Sequence, residues 1–292
     1  KSIMKTTLSS SKFIAEVCSN HNGNLKRALK FVDFAKNSGF YAIKFQLFKI
    51  NKLFSKDAKK LFKTAQKKIK RELPKEFIPI ISKYCKKKKI KFSCTPFDLH
   101  AVEYLKKYVD FYKIASYEMA WPDLLKACAQ TKKPVILSTG MSSLKEVKKS
   151  YDILKKNKCK KISLLHCVSS YPANVKSCNL NSIKFLKNKF NCEVGWSDHT
   201  VNDLLIYSAV RNQKADYIEL HIDIDGKGWE NIGSQHCWSP YKIKNLMEYL
   251  NNEKKINGSH HKKISKEENR ERKYRADPLD GLRPMKSFRH IL

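Results

Sequence analysis

Eight times along this chain a short β-branched or aromatic run gives way to a polar or amphipathic stretch, and few architectures admit that alternation. The runs fall at 13–17, 42–46, 90–94, 111–115, 134–138, 161–166, 193–196 and 216–221. Helical patterns between them cover 25–38, 99–107, 122–130, 142–154, 180–190 and 203–211; in the first, Ala28, Leu29, Val32 and Ala35 share one face. The runs 13–17 and 134–138 are nearly unbroken apolar, as parallel strands covered on both sides are. Such repetition gives either a doubly wound sheet or a closed (β/α)8 TIM barrel. No GxGxxG follows the first run, so the dinucleotide-binding sheet loses its marker and the barrel is the expected fold. It should occupy residues 1–252, with a charged tail over 253–292.

In a barrel every strand ends on one face, where active sites are built. The reactive side chains gather at those ends. Glu16 closes the first run, Lys44 and Gln46 the second, and Thr95 follows the third. Lys113 lies on the fourth, with Ser116 and Glu118 just beyond. Ser138 ends the fifth, His166 and Ser169 mark the sixth, Ser197 and His199 the seventh, and His221 the eighth.

His199 and His221 end consecutive strands, about 4.8 Å apart, so both imidazoles can reach one ion. Either alone would more often only satisfy a core hydrogen bond. No thiolate pattern points to zinc, and a site with few protein ligands suits an octahedral Mn2+ or Mg2+ that also binds substrate oxygens. His166 could supply a third ligand, but it precedes a cysteine and reads more as a strand residue. Lys44, Thr95, Lys113, Ser116, Ser138, Ser169 and Ser197 make a ring of cations and hydroxyls suited to a phosphate beside a carboxylate. A serine or threonine after a strand often merely turns the chain or caps the next helix, the role read for Ser142 and Thr200. Strand lysines are harder to dismiss, because burying an unpaired ammonium is expensive. Lys44 and Lys113 therefore need an anion, or they serve as the Schiff-base amine of a class I aldolase. Glu16 and Glu118 are carboxylates at the same mouth, able to hold a hydroxyl, move a proton or pair with a site lysine.

With 41% hydrophobic and 11% aromatic residues the chain can bury a real core. No run approaches the ~20 apolar residues of a membrane span. Residues 1–12 lack the apolar segment of a signal peptide. Nine cysteines without a CxxC pair read as free thiols in a reducing cytoplasm. Sixty Lys+Arg against twenty-seven Asp+Glu leave +33, which raises a basic nucleic-acid-binding barrel as the rival of another class. The lysines, though, are spread over the helices (Lys59, Lys60, Lys67, Lys155, Lys156) and not gathered into an arm with aromatics. They read as solvated faces, and nucleic acid is not the expected partner. An anionic substrate would still be drawn to such a surface.

The same residues stand in stretches that resemble the sialic acid synthase family. These are IAEVCSNHNGNL (14–25), AIKFQLF (42–48), FSCTPFD (92–98), YKIASYE (112–118) and KPVILSTGMSS (133–143). LLHCVSSYPA (164–173), VGWSDHT (194–200) and IELHIDID (218–225) follow in the family's order. The resemblance implies condensation of phosphoenolpyruvate with N-acetylmannosamine or a related 2,4-diacetamido hexose, giving phosphate and a nine-carbon 2-keto acid. By motif, Lys44, Thr95, Lys113, Ser116, Ser138, Ser169 and Ser197 would hold phosphoenolpyruvate. His199 and His221 would hold Mn2+ or Mg2+; Glu16, Gln46 and Tyr171 would touch the sugar; Glu118 would assist proton movement, with Lys44 and Lys113 as fixed charges. A homodimer is also compatible with the family. Serine stands at 169 where many members carry asparagine. DGKGWENIGSQHCWSP (225–240) departs from the family's usual PGPDH loop, leaving the sugar and the roles of Glu230, Gln235 and His236 open. RADPLDGLRPM (275–285) looks like the family's junction beyond the barrel, with no antifreeze-like domain expected after it.

Overall fold

The computed structural model describes residues 11–291, and the signal-peptide reading of residues 1–12 falls almost wholly outside them. The chain forms two compact units, Lys1–Asn251 and Asn252–Leu292. In the first, β1 (Lys12–Glu16), β2 (Ala42–Leu47), β3 (Lys91–Pro96), β4 (Phe111–Ile114), β5 (Val135–Ser138), β6 (Ile162–Cys167), β7 (Glu193–Asp198) and β8 (Tyr217–His221) close into a parallel barrel. Each strand pairs with its sequence neighbours, and β1 pairs with β8. The expected runs all became strands, with ends shifted by one or two residues.

Around the barrel lie α1 (Leu25–Asn37), α2 (Ile50–Leu53), α3 (Lys59–Gln66), α4 (Phe77–Lys88), α5 (Leu99–Leu105), α6 (Pro122–Gln130), α7 (Leu144–Lys156), α8 (Asn181–Phe190) and α9 (Asp203–Arg211). After β8 come α10 (Trp229–Ser234) and α11 (Pro240–Asn257). Local chemistry sets the helix starts. Asn24, Asp98 and Asn202 accept from the backbone N–H groups of Arg27, Ala101 and Leu205. Ser143, not Ser142, caps α7: it forms a capping box with Glu146, while the Ser142 hydroxyl donates to the Gly140 carbonyl. Thr200 turns the chain by donating to Asp198. On α1 the buried face is Ala28, Phe31, Val32 and Ala35, with Phe31 taking the place expected of Leu29.

Strand side chains alternate between the helices and the barrel interior. Ile14, Ala42, Phe111, Ile136, Leu165 and Tyr217 meet inside as an apolar layer. Two residues further along the same strands stand Glu16, Lys44, Lys113, Ser138, Cys167 and Glu219, all buried. The interior thus changes from apolar to polar within one pleat, at the end where the strands finish. Gly195 permits the β7–β8 contact, since a Cβ there would lie 2.2 Å from the Tyr217 carbonyl oxygen. His166 has the opposite parity: its ring packs 5.3 Å from that of Trp196 and its Nε2 bonds the Cys178 carbonyl at 2.8 Å. His166 is thus a strand residue turned towards the helices, as its place before a cysteine suggested, and not a metal ligand.

In the second unit, α12 (Glu268–Glu271) precedes a turn held by its own charges. Arg289 grips Asp280 through two nitrogens at 2.6 and 2.8 Å, and Asp277 accepts from the backbone N–H groups of Leu279 and Lys286. Among the described residues no helix is long and apolar enough to cross a membrane. The nine cysteines are free thiols.

Candidate active site at the barrel mouth

The polar layer is a charge-balanced floor. Glu219 of β8 lies 3.4 Å from the Lys113 ammonium and 3.8 Å from that of Lys44, and it accepts from the Ser197 hydroxyl at 2.9 Å. Lys44 also pairs with Glu16, which accepts in turn from Gln46 Nε2 at 3.0 Å and the Cys18 backbone N–H at 2.8 Å. Thr95 Oγ1 is 3.4 Å from Lys44 Nζ. Burial pulls Lys44 down to about 7 against the attraction of Glu219, and neighbouring Lys113 adds to the depression. Burial raises Glu219 too, yet Lys113 and Lys44 outweigh it and hold the carboxylate ionised. Two buried ammonium groups facing two buried carboxylates satisfy the requirement that buried charge be paired.

Beside this floor, hydroxyls from β4, β5 and β6 converge. Ser116 Oγ accepts from the Gly140 backbone N–H at 3.0 Å, and a Cβ on Gly140 would meet Ser169 Oγ at 2.4 Å and Ser116 Oγ at 2.9 Å. Only glycine lets the backbone approach both oxygens. The buried Oγ atoms of Ser138 and Ser169 have no hydrogen-bond partner among the described residues, and neither has Glu118 Oε2. Buried hydroxyls are ordinarily satisfied, so this cradle has donors available for an anion. Burial lifts the Glu118 carboxyl to about 7 in spite of Lys113 nearby.

The histidines gather on the β7–β8 side. The rings of His199 and His221 lie 5.2 Å apart, and His236, from the segment after α10, approaches His221 with Nε2 3.2 Å from its Nδ1. Glu230 of α10 reaches His236 at 3.4 Å. The candidate ligand atoms of His221, Glu230 and His236 all lie within 4.8 Å of one another. His199 donates from Nδ1 to the Val168 carbonyl at 2.6 Å, leaving Nε2 as its lone-pair nitrogen. Burial keeps all three imidazoles neutral, with His236 adding to the effect on His221; His236 falls to about 4. Neutral imidazole beside a carboxylate is the donor set that Mn2+, Mg2+ and their neighbours accept, so the residues fit a divalent ion. The Tyr171 ring covers this cluster, 4.3 Å from His199 and 4.9 Å from His236.

Lys44, Gln46, Lys113, Ser116, Ser138, Tyr171, Ser197, His199 and His221 line one cavity of about 510 Å3. Glu16 and Thr95 are not in the lining but contact Lys44, which is, and Ser169 and Glu118 are also outside the lining. Sequence reasoning missed Glu219, although it precedes His221 by one strand period. It also missed Lys68 and Arg71, which line the cavity from the β2–β3 connection.

Fold and mouth define a (β/α)8 enzyme that brings an anion cradle against a set of metal donors. The chain belongs to the NeuB family, whose family model matches residues 31–262, and is a phosphoenolpyruvate-condensing synthase of the N-acetylneuraminate synthase type. It is 36% identical over 278 residues to the N,N'-diacetyllegionaminic acid synthase of Campylobacter jejuni, covering 91% of this chain and 81% of that one. A protein of Methanocaldococcus jannaschii is 40% identical over 251 residues, covering 84% of this chain and 72% of its own. The structure superposes on an N-acetylneuraminic acid synthetase of Leptospira borgpetersenii with TM-score 0.76 and 31% identity, covering 93% and 94% of the two chains. Family membership sets the synthase in place of the class I aldolase.

Proposed function

We propose that this mouth joins phosphoenolpyruvate to the open-chain aldehyde of an acetamido hexose, forming a 2-keto acid of the sialic, legionaminic or pseudaminic type. The observation that carries the reading is the pair of unpartnered hydroxyls, Ser138 and Ser169, set around Gly140 and beside the Lys44–Glu219–Lys113 floor. Lys44, Thr95, Lys113, Ser116, Ser138, Ser169 and Ser197 hold the donor by its phosphate and carboxylate. His199 and His221, with Glu230 and His236, would hold Mn2+ or Mg2+, which would supply Lewis-acid polarisation of the aldehyde oxygen. Glu16, through Gln46, and Tyr171 orient the sugar.

Carbon 3 of the enol forms the new bond to the aldehyde carbon, and cationic character develops at carbon 2 beside the fixed floor charges. Water adds at carbon 2, passing one proton through the Glu118 carboxylate to the alkoxide formed from the aldehyde and the other to the departing phosphate. The carbon 2–oxygen bond then breaks, phosphate leaves and the ketone forms. Solvent oxygen-18 should therefore appear in the keto acid and be absent from the phosphate. Label in the phosphate would mean attack at phosphorus and overturn the reading.

The pH profile follows from the same residues. Glu118 is protonated below about 7 and Lys44 neutral above about 7, so kcat/KM should form a narrow bell centred near 7. Bound anion favours the Lys44 ammonium, so the alkaline limb of kcat should lie above that of kcat/KM. Glu118→Gln should remove the acidic limb; an unchanged limb would take Glu118 out of the proton path.

A further inference from the structure

Glu230 and His236 stand on α10 and at its exit, and nothing in α10 itself holds that helix in place. It is six residues long, none of them buried, and Gly228 before it has no side chain to cap it. A helix so short is marginal on its own, and the first four N–H groups of any helix lack partners within it. Here side chains from outside take all four. Asp223 accepts from the Gly228 N–H at 2.9 Å and Asn22 from that of Trp229 at 2.9 Å. Asn20 accepts from Glu230 at 2.8 Å and from Asn231 at 3.2 Å.

Asn20 and Asn22 belong to the loop after β1, 210 residues before Glu230 and 207 before Trp229. The Asn20 amide is fully used. Its oxygen serves the two helix N–H groups, while its nitrogen donates to the Ile222 carbonyl at 2.8 Å and to the Cys237 sulfur at 3.4 Å. Asn20 thus grips the chain before α10, at its start and beyond its end, beside His236. Asn22 adds a bond from its nitrogen to the Lys227 carbonyl at 2.8 Å. Gly228 permits the approach, since a Cβ there would lie 2.2 Å from Asn20 Oδ1. Arg27 braces the grip, donating to the Asn20 carbonyl at 2.6 Å and to Asp223 at 2.9 Å. The same loop also orients the carboxylate. Cys18 and Ser19 donate to Glu230 Oε2 at 3.0 and 3.3 Å, and Oε1 lies 3.4 Å from His236 Nε2.

We infer that Asn20 and Asn22 are positioning residues for the metal donors: they cap α10 from the other side of the β1–β8 seam and so bring Glu230 and His236 to His221. Neither amide touches the ion in this account; each acts through the helix it holds. The inference rests on the metal set proposed above.

Two readouts on the full chain test it. Hydrogen exchange followed by mass spectrometry reads the grip alone: in Asn20→Ala the amides of 228–231 should exchange at least tenfold faster while the barrel strands keep their protection. Electron paramagnetic resonance of Mn2+ reads the consequence. Asn20→Ala should weaken the ion by about 10–100-fold, the usual effect of losing a group that orients metal ligands, with phosphoenolpyruvate affinity unchanged. That loss should vanish in a Glu230→Gln/His236→Ala background and add in full to the loss from His199→Ala, which lies beyond β7 and not on α10. Asn22 holds φ at 52°, so Asn22→Gly removes its oxygen without backbone strain. It should weaken Mn2+ several-fold, and Asn22→Asp, which keeps an accepting oxygen, should restore the affinity. The Asn22 pair carries the test if Asn20→Ala does not fold. Unchanged exchange at 228–231, or faster exchange with Mn2+ affinity intact, overturns the inference. So does a loss that adds in full to Glu230→Gln/His236→Ala. Unchanged Mn2+ affinity in His221→Ala would instead fail the metal reading, on which the exchange rates do not depend.

Discussion

Replacing Glu219 with alanine should destabilise the barrel by about 3–5 kcal/mol, the usual penalty for stranding a buried charge by removing its partner. Glu219 is 2% exposed and, among the described residues, is the one carboxylate within 4 Å of both floor lysines. Without it, among the described residues Lys113 keeps no counter-ion within 4 Å and Lys44 keeps only Glu16. Urea denaturation measures the loss. Phosphoenolpyruvate would return negative charge to the floor, so its stabilising effect should be larger in the variant than in the parent. The pH dependence has a definite sign. Lys44 is held at about 7 in the folded chain against 10.5 ordinarily, so between those values the folded state binds fewer protons and stability rises with pH. The Glu219→Ala penalty should accordingly shrink between pH 6 and pH 9. A penalty under ~1 kcal/mol at pH 6 would mean that the floor lysines reach water, and the charge-balanced account would fail.

That floor also marks the limit of what strand periodicity reveals. Lys44, Lys113 and Ser138 were legible because each stands two residues after an apolar inward residue of its strand: Ala42, Phe111 and Ile136. Glu219 obeys the same rule, two residues after Tyr217 and two before His221, and counting inward positions along IELHIDID would have found it. The same count would have excluded His166, which stands between inward Leu165 and Cys167. Helix caps were less legible, since Ser142 and Ser143 are adjacent and only the reach to Glu146 chooses between them.

Glu230, His236, Lys68 and Arg71 were not legible by any period. They stand on a short helix, its exit, and a single 3-10 turn, Ile69–Arg71, with the residue that precedes it. Tertiary hydrogen bonds place these segments: the Asn20 side chain donates to the Ile222 carbonyl and accepts from the backbone N–H of Glu230, tying the loop after β1 to the start of α10. No local pattern in 225–240 announces a contact 210 residues distant along the chain. The net charge of +33 was equally silent about the site, because the floor itself is balanced and the excess decorates helices.

The metal donors carry the other large effect. His221→Ala should abolish Mn2+ binding and lower kcat/KM by three orders of magnitude or more, since polarising a carbonyl oxygen is worth several kcal/mol and ~1.4 kcal/mol is tenfold in rate. His221 is central because its ring lies 5.2 Å from His199 and 4.5 Å from His236. His199→Ala and Glu230→Gln each remove one donor from the set and should weaken the ion by about 10–100-fold, as perturbing a metal shell typically does. His236→Ala discriminates further. If His236 is itself a ligand, Mn2+ affinity falls while the position of His221 is kept. If it only orients His221 through the 3.2 Å contact, His236→Gln should restore affinity by replacing that contact. Electron paramagnetic resonance of Mn2+ reads affinity without turnover, and circular dichroism checks that each variant folds. Unchanged Mn2+ affinity in His221→Ala, or full phosphate release in the presence of chelator, would remove the ion from this cluster and from the reaction.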